Sequence, residues 1–428
     1  MTAEVGVLNR SGVALAADSA VSVGRDADKI YTSANKIFQL SCVAPVGVMI
    51  YGNANLVGLP WETIIKVYRR ELGEKRFDTL HEYAEHLIAF VGENADTLFP
   101  KEQQNRHTKR VIYGLFEEIA QQFGGVLFSK IAGGQEIDDS QAEEILFELI
   151  NEVLAKARAA EILPGFSVAD RAKVKTRYRK EIEAVSNALF RAELLSDRVT
   201  KALKTLAAET FCRRFFGGAL SGVVVAGFGE TQHMPAITSY ELEEMALGKL
   251  RWAERKGTEI NHETDALVAP FAQDEMVYSF MEGVDRELLG VMEASTRDLF
   301  TGVIQEIINL ISAADSSLGS ALESAVVPRM PDLLQKLFNG WQHQRERFWK
   351  PVLTITSALP KDELASMAEA LVNLTKFKRR VTMARETVGG PIDVAVITKG
   401  DGFVWVKRKH YFSPDLNPRV IARYQQGG

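Results

Sequence analysis

The sequence predicts a mixed α/β chain of the α+β type, with strands at both ends and in the middle separated by long helical blocks. Three observations carry this. The first seventy residues and the last forty hold short, near-continuous apolar runs bounded by turn residues, as strands covered on both faces do. A further run of that kind, Gly222 to Ala226, lies mid-chain. Between them apolar residues recur at three-to-four spacing, the period of amphipathic helices. The pattern describes one sheet interrupted by insertions, with no internal repeat and no low-complexity linker.

Ala3 to Leu8 carries small and branched residues, Asn9-Arg10-Ser11-Gly12 is turn chemistry, and Val13 to Ala17 is apolar again, so the chain opens on a buried hairpin. Lys36 to Leu40 and Val46 to Tyr51 form a second pair, joined across Pro45. From Ala54 the period turns helical, with Leu56, Leu59, Ile64, Ile65, Val67 and Tyr68 on one side and Glu62, Lys66, Arg69 and Arg70 between them. A second helix, about Leu80 to Phe90, follows a stop at Gly73. Residues of about 97 to 215 read as helices throughout. Ser140-Gln-Ala-Glu143 has capping-box spacing and opens a run with Leu146, Leu149, Ile150 and Val153 on one side. Another helix runs from Ala169 after Pro164-Gly165. Strand character returns at Gly222 to Ala226 and, after Gly227-Phe-Gly229, at Ala236 to Leu242. Residues of about 283 to 350 are helical again. Pro360 opens a helix with Leu364, Met367, Ala368, Leu371 and Val372 on one face. The last hairpin, Ile392 to Thr398 and Phe403 to Lys407, turns at Lys399-Gly-Asp-Gly402.

Composition narrows the function classes. The 428 residues include 51 Lys+Arg against 56 Asp+Glu, a net charge of −5, which lacks the clustered positive surface that nucleic acid requires. Hydrophobic residues at 46% and charged residues at 25% are globular usage. Two cysteines, Cys42 and Cys212, exclude a disulfide framework and a thiolate zinc site. The start lacks the regions of a signal peptide, and the longest uncharged stretch, Ile37 to Trp61, is broken by Pro45, Asn53, Asn55 and Pro60, so no membrane span is expected. A soluble, cytoplasmic protein is the expectation. His81-Glu-Tyr-Ala-Glu-His86 approaches the zinc-protease helix, but its i,i+5 spacing turns the two imidazoles about 140° apart. Gly227-Phe-Gly229 lacks the third glycine of a dinucleotide site, and there is no phosphate loop, so no cofactor is expected.

Val5-Gly-Val-Leu8, Gly12-Val-Ala-Leu-Ala-Ala-Asp18-Ser19, Asn35-Lys36-Ile-Phe-Gln-Leu40 and Val48-Met-Ile-Tyr-Gly52 follow one another in an informative order. On these pieces the chain resembles a proteasome β-type subunit, one of the N-terminal-nucleophile hydrolases. Weaker likeness returns at Val224 to Gly229 and at Glu386 to Ile397. The resemblance covers a minority of the chain. It implies a four-layer αββα sandwich whose core is built from 1–96, 216–282 and 356–428, with large helical insertions at 97–215 and 283–355.

The resemblance also implies a threonine peptidase or amidohydrolase. The family's nucleophile is an N-terminal Thr; here Thr2 follows Met1, and an aminopeptidase that accepts small second residues would expose it. A hydroxyl is a poor nucleophile without a base, and a free α-amine titrating at about 7.7–8.0 is poised to be one. Asp18 and Lys36 stand where the family carries its acidic residue and the lysine that holds the amine and hydroxyl reactive. Gly52 stands where a backbone N–H stabilises the oxyanion, a place suited to glycine because substrate must approach closely. There are departures: Ala20 replaces a basic residue, the late Asp-x-x-Ser-Gly motif reads Glu386-Thr-Val-Gly389-Gly390, and a supporting serine has no match near Ala269 to Gln273. Glu386 would keep the charge at longer reach. Implied partners are a peptide or unfolded protein substrate, further copies of the chain and, where unfolding is needed, a separate ATPase unfoldase. The stripe Leu146, Leu149, Ile150 and Val153 must be buried against itself or a neighbour, so a homo-oligomer held by the insertions is expected. Two other readings stay open: a catalytically inactive scaffold or binding protein, and a small-molecule amidase.

Overall fold

The computed structural model describes residues 2–23, 29–382 and 388–425. The expected opening hairpin is β1 (Ala3–Asn9) and β2 (Gly12–Ala17), with Asn9 opposite Gly12. The second pair is β3 (Ile37–Gln39) and β4 (Val46–Gly52). Mid-chain strands are β5 (Ser221–Gly227), β6 (Ala236–Ala246), β7 (Lys249–Glu259) and β8 (Ala266–Ala272). The closing hairpin is β9 (Asp393–Thr398) and β10 (Gly402–Lys407).

These strands make two antiparallel five-stranded sheets rather than one interrupted sheet, in the orders β8-β1-β2-β9-β10 and β7-β6-β5-β4-β3. Side-chain alternation explains the doubling. Leu8, Val13 and Leu15 point between the sheets to meet Met49, Val224 and Ile397. Val5, Val7, Ala14 and Ala16 point the other way, into a separate core. Two strands of these sheets escaped the sequence reading, and Asn55–Leu56 pairs with Leu59–Pro60 where a helix was expected, the helix beginning only at Trp61. β7 reads Lys-Leu-Arg-Trp-Ala-Glu-Arg-Lys-Gly-Thr-Glu, too charged to look like a strand, and β8 contains Pro270. Both lie at sheet edges, where charge and proline are tolerated.

Helices α1 (Trp61–Leu72) and α2 (Leu80–Glu93) cover the outer face of the second sheet, setting Trp61, Ile64, Tyr68, Tyr83 and Leu87 against Phe38, Val48, Val223 and Tyr240. Gly73, at φ 54°, ends α1, and a Thr79–Glu82 capping box opens α2. Next come α3 (Lys101–Ala132), α4 (Asp139–Ala159), α5 (Asp170–Arg177), α6 (Arg179–Leu189) and α7 (Asp197–Cys212). They build their own core around Phe116, Leu146, Ile150, Leu203 and Phe211, with Leu149 and Val153 at its margin. The apolar stripe of α4 is therefore satisfied within the chain. Asp138 and Gln141 form the capping box of α4, two residues before the expected Ser140–Glu143: the Asp138 carboxylate accepts the Gln141 N–H at 2.8 Å. Aspartate caps well there because its charge also meets the positive helix end. The helix expected from Ala169 is two, broken at Tyr178, whose hydroxyl accepts the Leu247 N–H at 2.8 Å.

Further helices are α8 (Glu275–Glu282), α9 (Arg286–Ala314), α10 (Ser316–Val326), α11 (Met330–Ala358) and α12 (Lys361–Val381). Leu364, Ala368, Leu371 and Val372 of α12, with Val277 of α8, cover the outer face of the first sheet. The result is four layers, helix on sheet on sheet on helix. By contrast α9 buries only Ile308, leaving Leu299 and Leu310 about two-thirds exposed. Among the described residues no helix is long and apolar enough to cross a membrane.

Candidate active site

The sheet interface positions the site. Thr2 lies one residue before β1, buried, with its carbonyl accepting the Gln273 N–H at 3.2 Å. Period two along the strand puts Thr2, Glu4 and Leu8 on the face turned toward the second sheet. Thr2 Oγ1 donates to Glu4 Oε2 at 3.0 Å.

Asp18, at the end of β2, is held from several sides. Its Oδ1 accepts the Ala3 N–H at 3.1 Å, and its Oδ2 accepts the N–H groups of Ala20 at 3.1 Å and Gly389 at 2.8 Å. Lys36, just before β3, places Nζ 2.5 Å from Asp18 Oδ1 and 3.4 Å from Glu4 Oε1. Ala20 and Gly389, two departures from the resembled pattern, thus serve Asp18 through backbone groups that no side chain need supply. Glu386 lies outside the described residues.

Gly52 ends β4, two residues beyond Ile50, whose N–H donates to the Lys36 carbonyl at 2.9 Å. Its φ is 76°, and a Cβ there would sit 2.5 Å from the Leu220 carbonyl oxygen, so only glycine fits. Thr2, Lys36 and Gly52 line one cavity of about 150 Å³ with Asn35, Trp61 and Glu62. A larger cavity of about 620 Å³, between α3 and residues 215–219, touches none of the site residues expected from sequence.

The sequence reading missed Glu4. Burial pushes its carboxyl from 4.5 up to about 7, the attraction of Lys36 opposing and the charge of Asp18 adding to the rise. One ammonium serves two carboxylates, and Asp18 holds the closer contact. The missed signal was a lone charge in an apolar strand, two residues from Thr2 and therefore on its face. Four of the five expected residues, Thr2, Asp18, Lys36 and Gly52, are brought together. The arrangement offers a hydroxyl bound to a carboxylate, a buried cation beside it, and a glycine at the cavity lip.

No family model and no curated protein matches the chain. Among solved structures it is similar to the Anbu (Gly-1) mutant from Hyphomicrobium sp. strain MC1, at 10% identity over all of this chain and 96% of that one, with a TM-score of 0.32. Anbu from the same strain gives 8% identity over 99% and 95% of the two chains, with a TM-score of 0.29. Anbu (ancestral beta-subunit) from Yersinia bercovieri gives 10% over 99% and 97%, with a TM-score of 0.27. These overlaps are too poor to carry an argument. Membership of the proteasome β-type family, implied by the N-terminal pieces, is accordingly corrected: no family model matches, and the structural likenesses assign none.

Proposed function

We propose that this chain hydrolyses peptide or amide bonds, with Thr2 as nucleophile after Met1 is removed. The observation that carries this reading is the meeting of Thr2, Asp18 and Lys36 in one buried cluster. In the proposed reaction Thr2 Oγ1 attacks the carbonyl carbon and the α-amine released on the same residue serves proton transfer. Lys36, fixed by Asp18, lines the same cavity as Thr2. The Gly52 N–H faces the developing oxyanion. Water then cleaves the acyl-enzyme. The reading includes a peptide or unfolded-chain substrate, self-association in the cytoplasm and, where unfolding is needed, a separate ATPase.

The cavity of about 150 Å³ favours a second form of the same chemistry, a small-molecule amidase, because it admits one small acyl group. The test is a β-lactone. It should add its mass to the peptide beginning at Thr2, with labelling lost in Thr2→Ala and Lys36→Ala. Labelling elsewhere names another nucleophile, and none at all favours an inactive scaffold.

A further inference from the structure

We propose that Glu4 is a catalytic residue of this site, its carboxylate taking the proton from Thr2 Oγ1 during attack and returning it when the acyl group departs. The inference rests on the reading of Thr2 as nucleophile. Thr2 Oγ1 and Glu4 Oε2 are already 3.0 Å apart, within proton-transfer reach.

Glu4 is fully buried, on the strand face that turns toward the core of Leu8, Leu15, Met49, Val224 and Phe271. An apolar side chain would be the stable occupant, since a buried carboxylate without full pairing is destabilising. Glu4 Oε1 meets Lys36 Nζ at 3.4 Å, a looser pairing than Asp18 makes with the same ammonium. Asp18 takes the same cation at 2.5 Å and three backbone N–H groups besides. Glu4 is thus the carboxylate left to exchange a proton near neutral pH, in keeping with its rise to about 7. The other titratable groups around it are Asp18, Lys36 and, across the sheet interface, Tyr51, whose hydroxyl accepts from Arg255 at 3.3 Å.

This divides the labour between two groups of different basicity. An α-amine titrating at about 7.7–8.0 is mostly protonated at neutral pH and suits the acid role. As Oγ1 bonds to the carbonyl carbon, its proton passes to Glu4 and the C=O electron pair moves onto oxygen. Collapse breaks the C–N bond, and the ammonium of Thr2 protonates the leaving amine. Water then attacks the ester, giving its proton to the now neutral α-amine. When the C–Oγ1 bond breaks, Glu4 returns its proton to Oγ1, and both groups stand as they began.

The test is the rate of Thr2 acylation by a β-lactone against pH, in the wild type, Glu4→Gln and Glu4→Asp. The wild-type rate should rise with a midpoint near pH 7. Glu4→Gln should be slower by on the order of 10²-fold, with its rise moved to about pH 8. Glu4→Asp, which keeps a carboxyl, should recover part of the rate and the lower midpoint. A wild-type rise only near pH 8, or Glu4→Gln keeping both rate and midpoint, overturns the role of Glu4 and leaves Thr2 as nucleophile. The wild-type profile decides even if Glu4→Gln does not fold. Wild-type protein unlabelled at Thr2 at every pH overturns both.

Discussion

Lys36 Nζ and Asp18 Oδ1 lie 2.5 Å apart in the interior, both side chains almost wholly buried. Two charges are tolerated there because each completes the other and because Asp18 also gathers the N–H groups of Ala3, Ala20 and Gly389. The pair ties the ends of the first hairpin to the start of β3 and so fixes the floor under Thr2.

Breaking that pair should be costly. Asp18→Ala leaves an ammonium and three backbone donors without their acceptor, and we expect a loss of about 3–5 kcal/mol. Urea unfolding measures it. A loss below about 1 kcal/mol contradicts the account of the floor.

Stability should depend on pH through Glu4. Its folded-state carboxyl titrates at about 7, above the ordinary 4.5, so the folded protein binds this proton more tightly than the unfolded chain. The stabilising contribution is complete below pH 4.5 and is lost as pH rises through about 7. At about 1.4 kcal/mol per unit, the loss amounts to about 3 kcal/mol. Glu4→Gln removes it, so the variant should gain about that much on the wild type between pH 4.5 and about pH 8. A stability difference that does not change with pH speaks against it.

Gly52→Ala forces a Cβ to within 2.5 Å of the Leu220 oxygen at φ 76°. The strain should cost about 1–3 kcal/mol. If Gly52 serves the proposed reaction as oxyanion donor, the substitution should also slow acylation of Thr2, by about 10²-fold. Thermal unfolding and labelling rate read the two effects separately, and an unchanged labelling rate removes Gly52 from the mechanism.

Self-association should run through α9 rather than α4. The stripe on α4 is spent inside its own bundle, whereas Leu299 and Leu310 of α9 face solvent, and single proteins rarely leave such apolar area uncovered. Light scattering should find an oligomer at micromolar concentration that Leu299→Glu with Leu310→Glu reduces to a monomer. A wild-type monomer would sink this expectation.

Much of the fold was legible because its strands are buried on both faces, so β1, β2, β4, β5 and β9 stand out as apolar runs between turn residues. β7 and β8 were not, since edge strands may carry charge and proline. Asp18, Lys36 and Gly52 were singled out by the family resemblance of the motifs around them, and not by composition or periodicity. Glu4 was hidden by its own strand: a single acidic residue in Ala-Glu-Val-Gly-Val-Leu-Asn reads as noise until the Thr2 hydroxyl is found bonded to it. Glu386 was legible as a charge, but lies outside the described residues.

Whether Thr2 is an N-terminal nucleophile is settled by intact mass and N-terminal sequencing of protein from its native host, before and after β-lactone treatment. The expected result is a chain lacking Met1 with a free amine on Thr2, gaining one inhibitor mass on its first peptide. A chain that keeps Met1 or carries an acetylated Thr2, with no added mass on that peptide, contradicts it.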